Sequence, residues 1–465
     1  MKNNILRNLP NMNSILEHKF FEDVDPQRVK LAGQLVLDQL RNDALSGEIS
    51  EIPCLDECAR MVIDKIKSSE MPLLRGVINA TGIVLHTNLG RAPLGAELYM
   101  QAADVFSGYS NLEYDLNTGE RGSRHSHVES HICRLTGAEA AMVVNNNAAA
   151  VMLKLAALAS GKGVAVSRGE LVEIGGAFRV PDVMKQSGAK LIEVGTTNKT
   201  RLSDYINAFE EENAEIFLKV HTSNYEIVGF TQSVSIEELS QYAKPKNIPV
   251  LYDMGSCFLI DPQLLGIETG ETAQSALEAG ADVICFSGDK LIGATQAGII
   301  AGRKEYIEKM KKHPLARAIR ADKLTLSALE IILRIYRFPD EAKRKIPALK
   351  MLSATREELR AQAESLSSRI KKFLPDWDIE VVETIDETGG GSLPNVPLKG
   401  AAVALSPKEM SVDKLEQTLR QGKTPIIARI HKEKLLLSMR SILPGEDERI
   451  VEIFGRDTFR GIVPM

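Results

Sequence analysis

The chain has 465 residues, 44% of them hydrophobic and 26% charged, with a formal net charge of −5. That length holds two or three domains and a large core, and the composition is that of an ordinary globular enzyme. The acidic balance excludes a uniformly basic nucleic-acid binder, and no apolar run reaches the length of a membrane span.

In chain order, residues 1–70 read as a helical domain. Leu31, Leu35, Leu37 and Leu40, and then Cys58, Val62 and Ile66, recur near helical spacing, and Asp25-Pro26 predicts a helix start. From 71 to 340, short apolar runs alternate with helical ones. Runs at 141–144, 163–167, 190–194, 216–220, 249–253 and 282–286 predict strands; 147–159 and 235–243 predict helices. This alternation predicts an α/β fold with a mostly parallel, doubly wound sheet, whose ligands bind at the carboxyl ends of the strands. From 341 to 465 a charged helix near 353–373 leads into strands at 379–383, 401–405 and 434–437, a smaller α+β domain in which Gly389-Gly390-Gly391 forms a tight turn or a functional clamp. The N-terminus lacks the apolar core of a secretory signal. Five cysteines form no metal-binding pattern, so no metal is expected, and free thiols suit the reducing cytoplasm.

The chemistry concentrates at the predicted strand ends. Phe286-Ser287-Gly288-Asp289-Lys290 follows a buried strand. A lysine held there loses solvation, its pKa falls, and its amine becomes nucleophilic. Strand, Ser-x-x-Lys and a following glycine-rich turn form the pattern by which pyridoxal-phosphate enzymes hold their cofactor, with Ser287 suited to its phosphate. Asp253 ends another strand, 37 residues before Lys290, and is suited to pair with a protonated pyridine nitrogen. Asn145, Asn146 and Asn147 open a helix, either as caps or as an anion site. His221 and Asn224 end a further strand, and Glu170 and Glu173 another. Arg91 precedes the sheet. Arg317 and Arg320 follow it at i,i+3 spacing, as a shared anion-binding helix face or a solvated basic one. The stretch Arg303–Lys350 carries 14 Lys/Arg against 6 Asp/Glu.

Together these phrases resemble the bacterial selenocysteine synthases, the L-seryl-tRNA(Sec) selenium transferase (SelA) family. The resemblance rests on Ile78–Gly82, Leu85–Arg91, Leu112–Leu116, Arg121–Arg124, Asn145–Ala150, Arg168–Gly175, Glu193–Asn198, Ser223–Tyr225, Phe286–Lys290, Pro314–Lys323 and Gly389–Pro394. It implies the fold type I (aspartate-aminotransferase-like) architecture, with Lys290 bonded to pyridoxal 5'-phosphate and Asp289 beside the reacting centre. It also implies Arg91, Arg317 and Arg320 as the selenophosphate site. Seryl-tRNA(Sec) would lose water through an aminoacrylyl-tRNA and gain selenium. The resemblance further implies a cytoplasmic homodecamer of dimers, with active sites at dimer interfaces and an N-terminal domain that reads the shape of the tRNA. The alternative is a lyase of the same fold acting on a small amino acid or amino sugar, which would lack that N-terminal domain. A non-catalytic tRNA-binding protein would have lost Lys290 or Asp253. Two departures from the family pattern, Cys257 for glycine and Thr295 for proline, fall near the cofactor and bear on loop geometry.

Overall fold

The computed structural model describes residues 6–70, 72–175, 178–222, 227–394, 396–408 and 410–455. The chain divides into two units, Met1–Gly76 and Val77–Met465.

The first unit is helical. Helix α1 (Pro26–Ser46) starts where Asp25 accepts a hydrogen bond from the Gln27 amide and Pro26 takes the first turn, and it ends at Gly47 in the left-handed conformation. Helix α2 spans Leu55–Glu70. Val29, Val36 and Leu40 of α1 pack with Cys58 and Val62 of α2 and with Ile15 and Phe21. Of the four leucines at near-helical spacing, Leu37 and Leu40 are buried, while Leu31 and Leu35 are 71% and 50% exposed, because the buried stripe runs through 29, 32, 33, 36, 37, 40 and 44. Cys54 lies just before α2, so it does not share the helix with Cys58.

The second unit is built on a seven-stranded sheet. Its strands are β1 (Ala140–Val144), β2 (Gly163–Ser167), β3 (Lys190–Val194), β4 (Ala214–Val220), β5 (Val250–Gly255), β6 (Val283–Ser287) and β7 (Gly298–Gly302). They lie in the order β1-β7-β6-β5-β4-β2-β3. From β6 to β3 all neighbours are parallel; β7 is antiparallel to both β6 and β1. Strands β1, β2, β5, β6 and β7 are buried throughout, because helices cover both faces and every side chain meets apolar neighbours. Alternate residues divide between two cores. Ala141, Val143, Ile284 and Phe286 face one, while Met142, Val144, Val283 and Cys285 face the other, under helix α3 (Asn147–Leu158). Helix α4 (Pro314–Ala318) is a single short turn.

A second, antiparallel sheet comprises β8 (Asp378–Asp386), β9 (Leu398–Ser406), β10 (Arg429–His431) and β11 (Lys434–Ser438), in the order β8-β9-β11-β10. Helix α5 (Arg356–Lys371), opened by a Thr355/Glu358 capping box, packs Leu359, Ala363, Leu366 and Ile370 into its core. The glycine run is a turn with a steric requirement. Gly389, Gly390 and Gly391 have φ of 75°, 64° and 66°, and a Cβ on Gly389 would lie 2.3 Å from Ile83 Cγ2.

Candidate active site

Because β7 runs against both of its neighbours, the other six strands deliver their carboxyl ends to one edge of the sheet. Asn145–Asn147, Glu170, His221, Asp253, Ser287 and Lys290 all lie at or just beyond those ends.

Lys290 follows β6 and is only 6% exposed. Backbone bonds brace its turn: Gly293 N to Lys290 O (2.8 Å), Ala294 N to Gly288 O (2.9 Å) and Gly288 N to Ala297 O (2.9 Å). Among the described residues its amine makes no hydrogen bond or ion pair. Burial pushes that amine below the usual lysine range, the Arg91 charge adds to the shift, and Asp253 and Asp289 oppose it. Ser287 is buried at the end of the same strand.

Asp253, 3% exposed, is gripped through one oxygen. Its Oδ1 accepts from Asn147 Nδ2 (2.8 Å) and Gly255 N (3.1 Å), with the Cys285 thiol at 3.7 Å. No bond to Oδ2 is present among the described residues. The buried Asn147 Oδ1 is likewise without a partner. The three asparagines thus divide. Asn147 reaches Asp253, Asn146 caps α3 by accepting from Ala149 N (2.8 Å), and Asn145 is exposed, its amide bonded to Ile319 O (2.9 Å).

His221 donates its backbone N–H to Asp253 O (2.9 Å). Burial lowers the pKa of its ring, against the raising effect of Glu271. It lines a cleft of about 330 Å³ with Glu170, Lys219, Tyr252 and Glu271. Glu170 is buried and paired with Lys219 Nζ (2.7 Å), while Glu173 is exposed and paired with Arg179 (2.8 Å), so the two glutamates do not act together. Asn224 and Tyr225 lie outside the described residues.

Arg91, in the left-handed region at φ 60°, places Nη1 2.7 Å from Asp289 Oδ2. The two line a cleft of about 420 Å³ with Thr87, Thr295 and Gln296, and Arg91 Nε is buried without a partner. Arg317 and Arg320 line neither cleft. They also do not share a helix face. Helix α4 ends at Ala318, and Arg320 continues as an extended bridge to Val144, with Nη1 4.0 Å from Glu113 Oε1. The i,i+3 argument fails because the helix stops at Ala318, two residues before Arg320. Both arginines are exposed.

Sequence reasoning did not single out two contributors. Glu113 is held by Arg124, which also donates to Ala321 O (2.5 Å) beside Arg320. Lys154 is fully buried and bonded to Cys285, the register partner of Asp253. It is the lone charge in the apolar run 147–158, a signal the sequence did carry.

These groups fit pyridoxal phosphate. A buried amine is unengaged, and a nearby carboxylate is fixed through one oxygen while the other is unbonded. The buried amide oxygen of Asn147 also lacks a donor.

The solved structure titled D-glucosaminate-6-phosphate ammonia-lyase superposes on 82% of this chain and 94% of its own, with a TM-score of 0.55 at 21% identity, a likeness of fold. The architecture is that of the fold type I pyridoxal-phosphate enzymes. Residues 77–443 match the SelA family, L-seryl-tRNA selenium transferase. An L-seryl-tRNA(Sec) selenium transferase of Carboxydothermus hydrogenoformans is 46% identical over 446 residues, 95% of each chain. That of Alkaliphilus oremlandii is 48% identical over 429 residues, 92% of each. The chain belongs to the L-seryl-tRNA selenium transferase family.

Proposed function

We propose that this protein converts L-seryl-tRNA(Sec) to L-selenocysteinyl-tRNA(Sec), with selenophosphate as selenium donor. The observation that carries the reading is the near full-length match to relatives of that name at 46% and 48% identity. Pyridoxal phosphate, when bound, supplies an electron sink for the serine α-carbon. Lys290 is the residue that holds it, and its depressed pKa suits the same amine to take and return the α-proton. Asp253 would hold the ring nitrogen, and Asn147 orients that carboxylate. Ser287, Asn145, Asn146, His221 and Asn224 are the remaining candidates for contacts to the cofactor.

Arg91 is poised to bind the anionic donor, since its guanidinium already faces a cleft beside Asp289. Asp289 holds Arg91 until an anion replaces it. Arg317 and Arg320 complete the donor site in this reading. Their exposure and their absence from the Arg91 cleft favour contribution across an interface between two copies, within a homodecamer of dimers. The N-terminal domain, residues 1–70 in this reading, recognises the tRNA. Residues 71–340 form the large cofactor domain and 341–465 the small one. No described helix is long and apolar enough to cross a membrane, in keeping with a cytoplasmic enzyme.

The test is spectroscopic. Purified protein with added pyridoxal phosphate should gain a visible absorbance band, and borohydride should then fix the cofactor's mass on Lys290. Seryl-tRNA(Sec) should change the band where free serine does not. A band that answers only to small amines would favour the lyase reading, and Lys290→Ala with normal turnover would sink the scheme.

A further inference from the structure

Lys154 is a fully buried lysine that the proposed chemistry leaves unused. It stands in α3 among Ala150, Val151, Leu155 and Leu158, all buried. An ammonium taken out of water needs a compensating partner. Among the described residues no carboxylate lies within ion-pair distance of it. Its one hydrogen bond runs to Cys285 Sγ, at 3.2 Å.

A thiol is a weak acceptor and cannot by itself balance a buried charge. The compensating charge lies one link further on. Cys285 Sγ is 3.7 Å from Asp253 Oδ1, and the two residues are register partners on the parallel strands β5 and β6. The direction of the chain follows from donor chemistry. An ammonium can only donate and an ionised carboxylate can only accept, so the sulfur accepts from Lys154 and its S–H donates to Asp253. Burial pushes the Cys285 thiol up to about 12, which keeps that proton on the sulfur.

Helix α3 completes the grip. Asn147 and Lys154 are seven residues apart, two turns along one helix face. The first bonds Asp253 directly and the second bonds it through Cys285. All three donors converge on Oδ1, so the grip leaves Oδ2 available.

We propose that Lys154 and Cys285 form a buried positioning relay that holds Asp253 fixed through Oδ1, with Oδ2 left for a cationic ring nitrogen. The cofactor part of this inference rests on the pyridoxal-phosphate reading above; the relay itself does not.

The experiment compares the full-length wild type with Lys154→Met, Cys285→Ser, Cys285→Ala and Asp253→Asn. In cofactor-free protein, infrared difference spectra against Cys285→Ser isolate the Cys285 S–H stretch. That band should shift in Lys154→Met and in Asp253→Asn. Lys154→Met should melt below the wild type, since it leaves the buried Asp253 carboxylate without its compensating charge. Its Kd for pyridoxal phosphate should also rise about tenfold. Cys285→Ser, which can still accept and donate, should stay within about twofold of wild type. Cys285→Ala should behave as Lys154→Met does, and it tests the same link if the lysine variant folds poorly.

An S–H band unmoved in both variants overturns the relay whatever the cofactor does. A moved band with unchanged cofactor affinity overturns the positioning role. A moved band in a wild type that takes up no pyridoxal phosphate upholds the relay and defeats the cofactor reading instead.

Discussion

The electrostatics of Lys290 give Arg91 a part beyond the anion binding proposed for it. The Arg91 guanidinium is the second cause, after burial, that holds the lysine amine below its usual range. It is also tied to Asp289 at 2.7 Å, which restrains the one carboxylate adjacent in sequence to Lys290. Arg91→Met removes a cation and releases an anion, and both changes raise the Lys290 pKa. Less free amine then exists at neutral pH. The pH profile for attachment of pyridoxal phosphate should move to the alkaline side, followed as the rate of appearance of the visible band. An unchanged profile would mean that solvent screens Arg91 from Lys290. His125 offers a test of stability instead. Burial lowers its imidazole from 6.5 to about 4, and Nδ1 accepts the Val143 amide at 3.4 Å. The folded-state pKa lies below the unfolded one. Between these values the unfolded chain binds a proton that the folded chain refuses, so stability falls as pH drops from 6.5 to about 4. At 1.36 kcal/mol per unit the loss approaches about 3 kcal/mol below that window. Calorimetric melts of His125→Gln should show a flatter profile across the same range, with no difference in slope above pH 6.5.

Elements are joined in the second unit by a buried ion pair. Asp386 at the end of β8 is fully buried, with Arg440 Nε at 3.2 Å. The same guanidinium donates to Met351 O (2.6 Å) and Lys399 O (2.6 Å) and so ties the segment before α5 to the small sheet. Burial raises the Asp386 carboxyl, and Thr384, Arg440 and Arg429 oppose that shift. The backbone is fitted closely around it, since a Cβ on Gly400 would lie 2.0 Å from Asp386 Oδ2. Arg440→Met would leave a buried carboxylate with only Thr384 and the more distant Arg429, and should cost about 3–5 kcal/mol in denaturant melts. A loss under about 1 kcal/mol would show that solvent reaches the site after all. Nothing in the sequence advertised this pair, because its partners are 54 residues apart and each is an ordinary charge until the fold buries it. The central strands were legible for the opposite reason. Parallel strands buried on both faces are short continuous apolar runs, and turn-forming residues bracket them. The spacing of Leu31, Leu35, Leu37 and Leu40 revealed a helix but not its buried face, because several leucine spacings satisfy a helical period and only packing against α2 selects one. The expected shared helix face of Arg317 and Arg320 did not form, because spacing says nothing of where a helix stops.

At the scale of the whole molecule, the proposed division of labour follows the division of the chain. The core of the first unit is drawn from its own elements, with Ile15, Phe21, Val36, Leu40, Cys58 and Val62 packed together. All the strand-end residues, with Lys290, Asp253 and Arg91, belong to the second unit. Sequence resemblance assigned tRNA recognition to the first unit and cofactor chemistry to the second. The chain as a whole is acidic, so RNA recognition must rest on shape and local contacts rather than on a basic domain. Sites that share no residue should respond independently. Removal of residues 1–76 should therefore leave the Kd for pyridoxal phosphate within about twofold of the full chain. The same removal should cut turnover of seryl-tRNA(Sec) by at least about tenfold, with the loss in kcat/KM carried by KM, because the reacting groups remain and only substrate capture is weakened. Parallel loss of cofactor and tRNA turnover would mean that the first unit supports the fold of the second. Undiminished turnover would return tRNA recognition to residues 77–465, where the excess of eight positive charges between Arg303 and Lys350 becomes the next surface to neutralise.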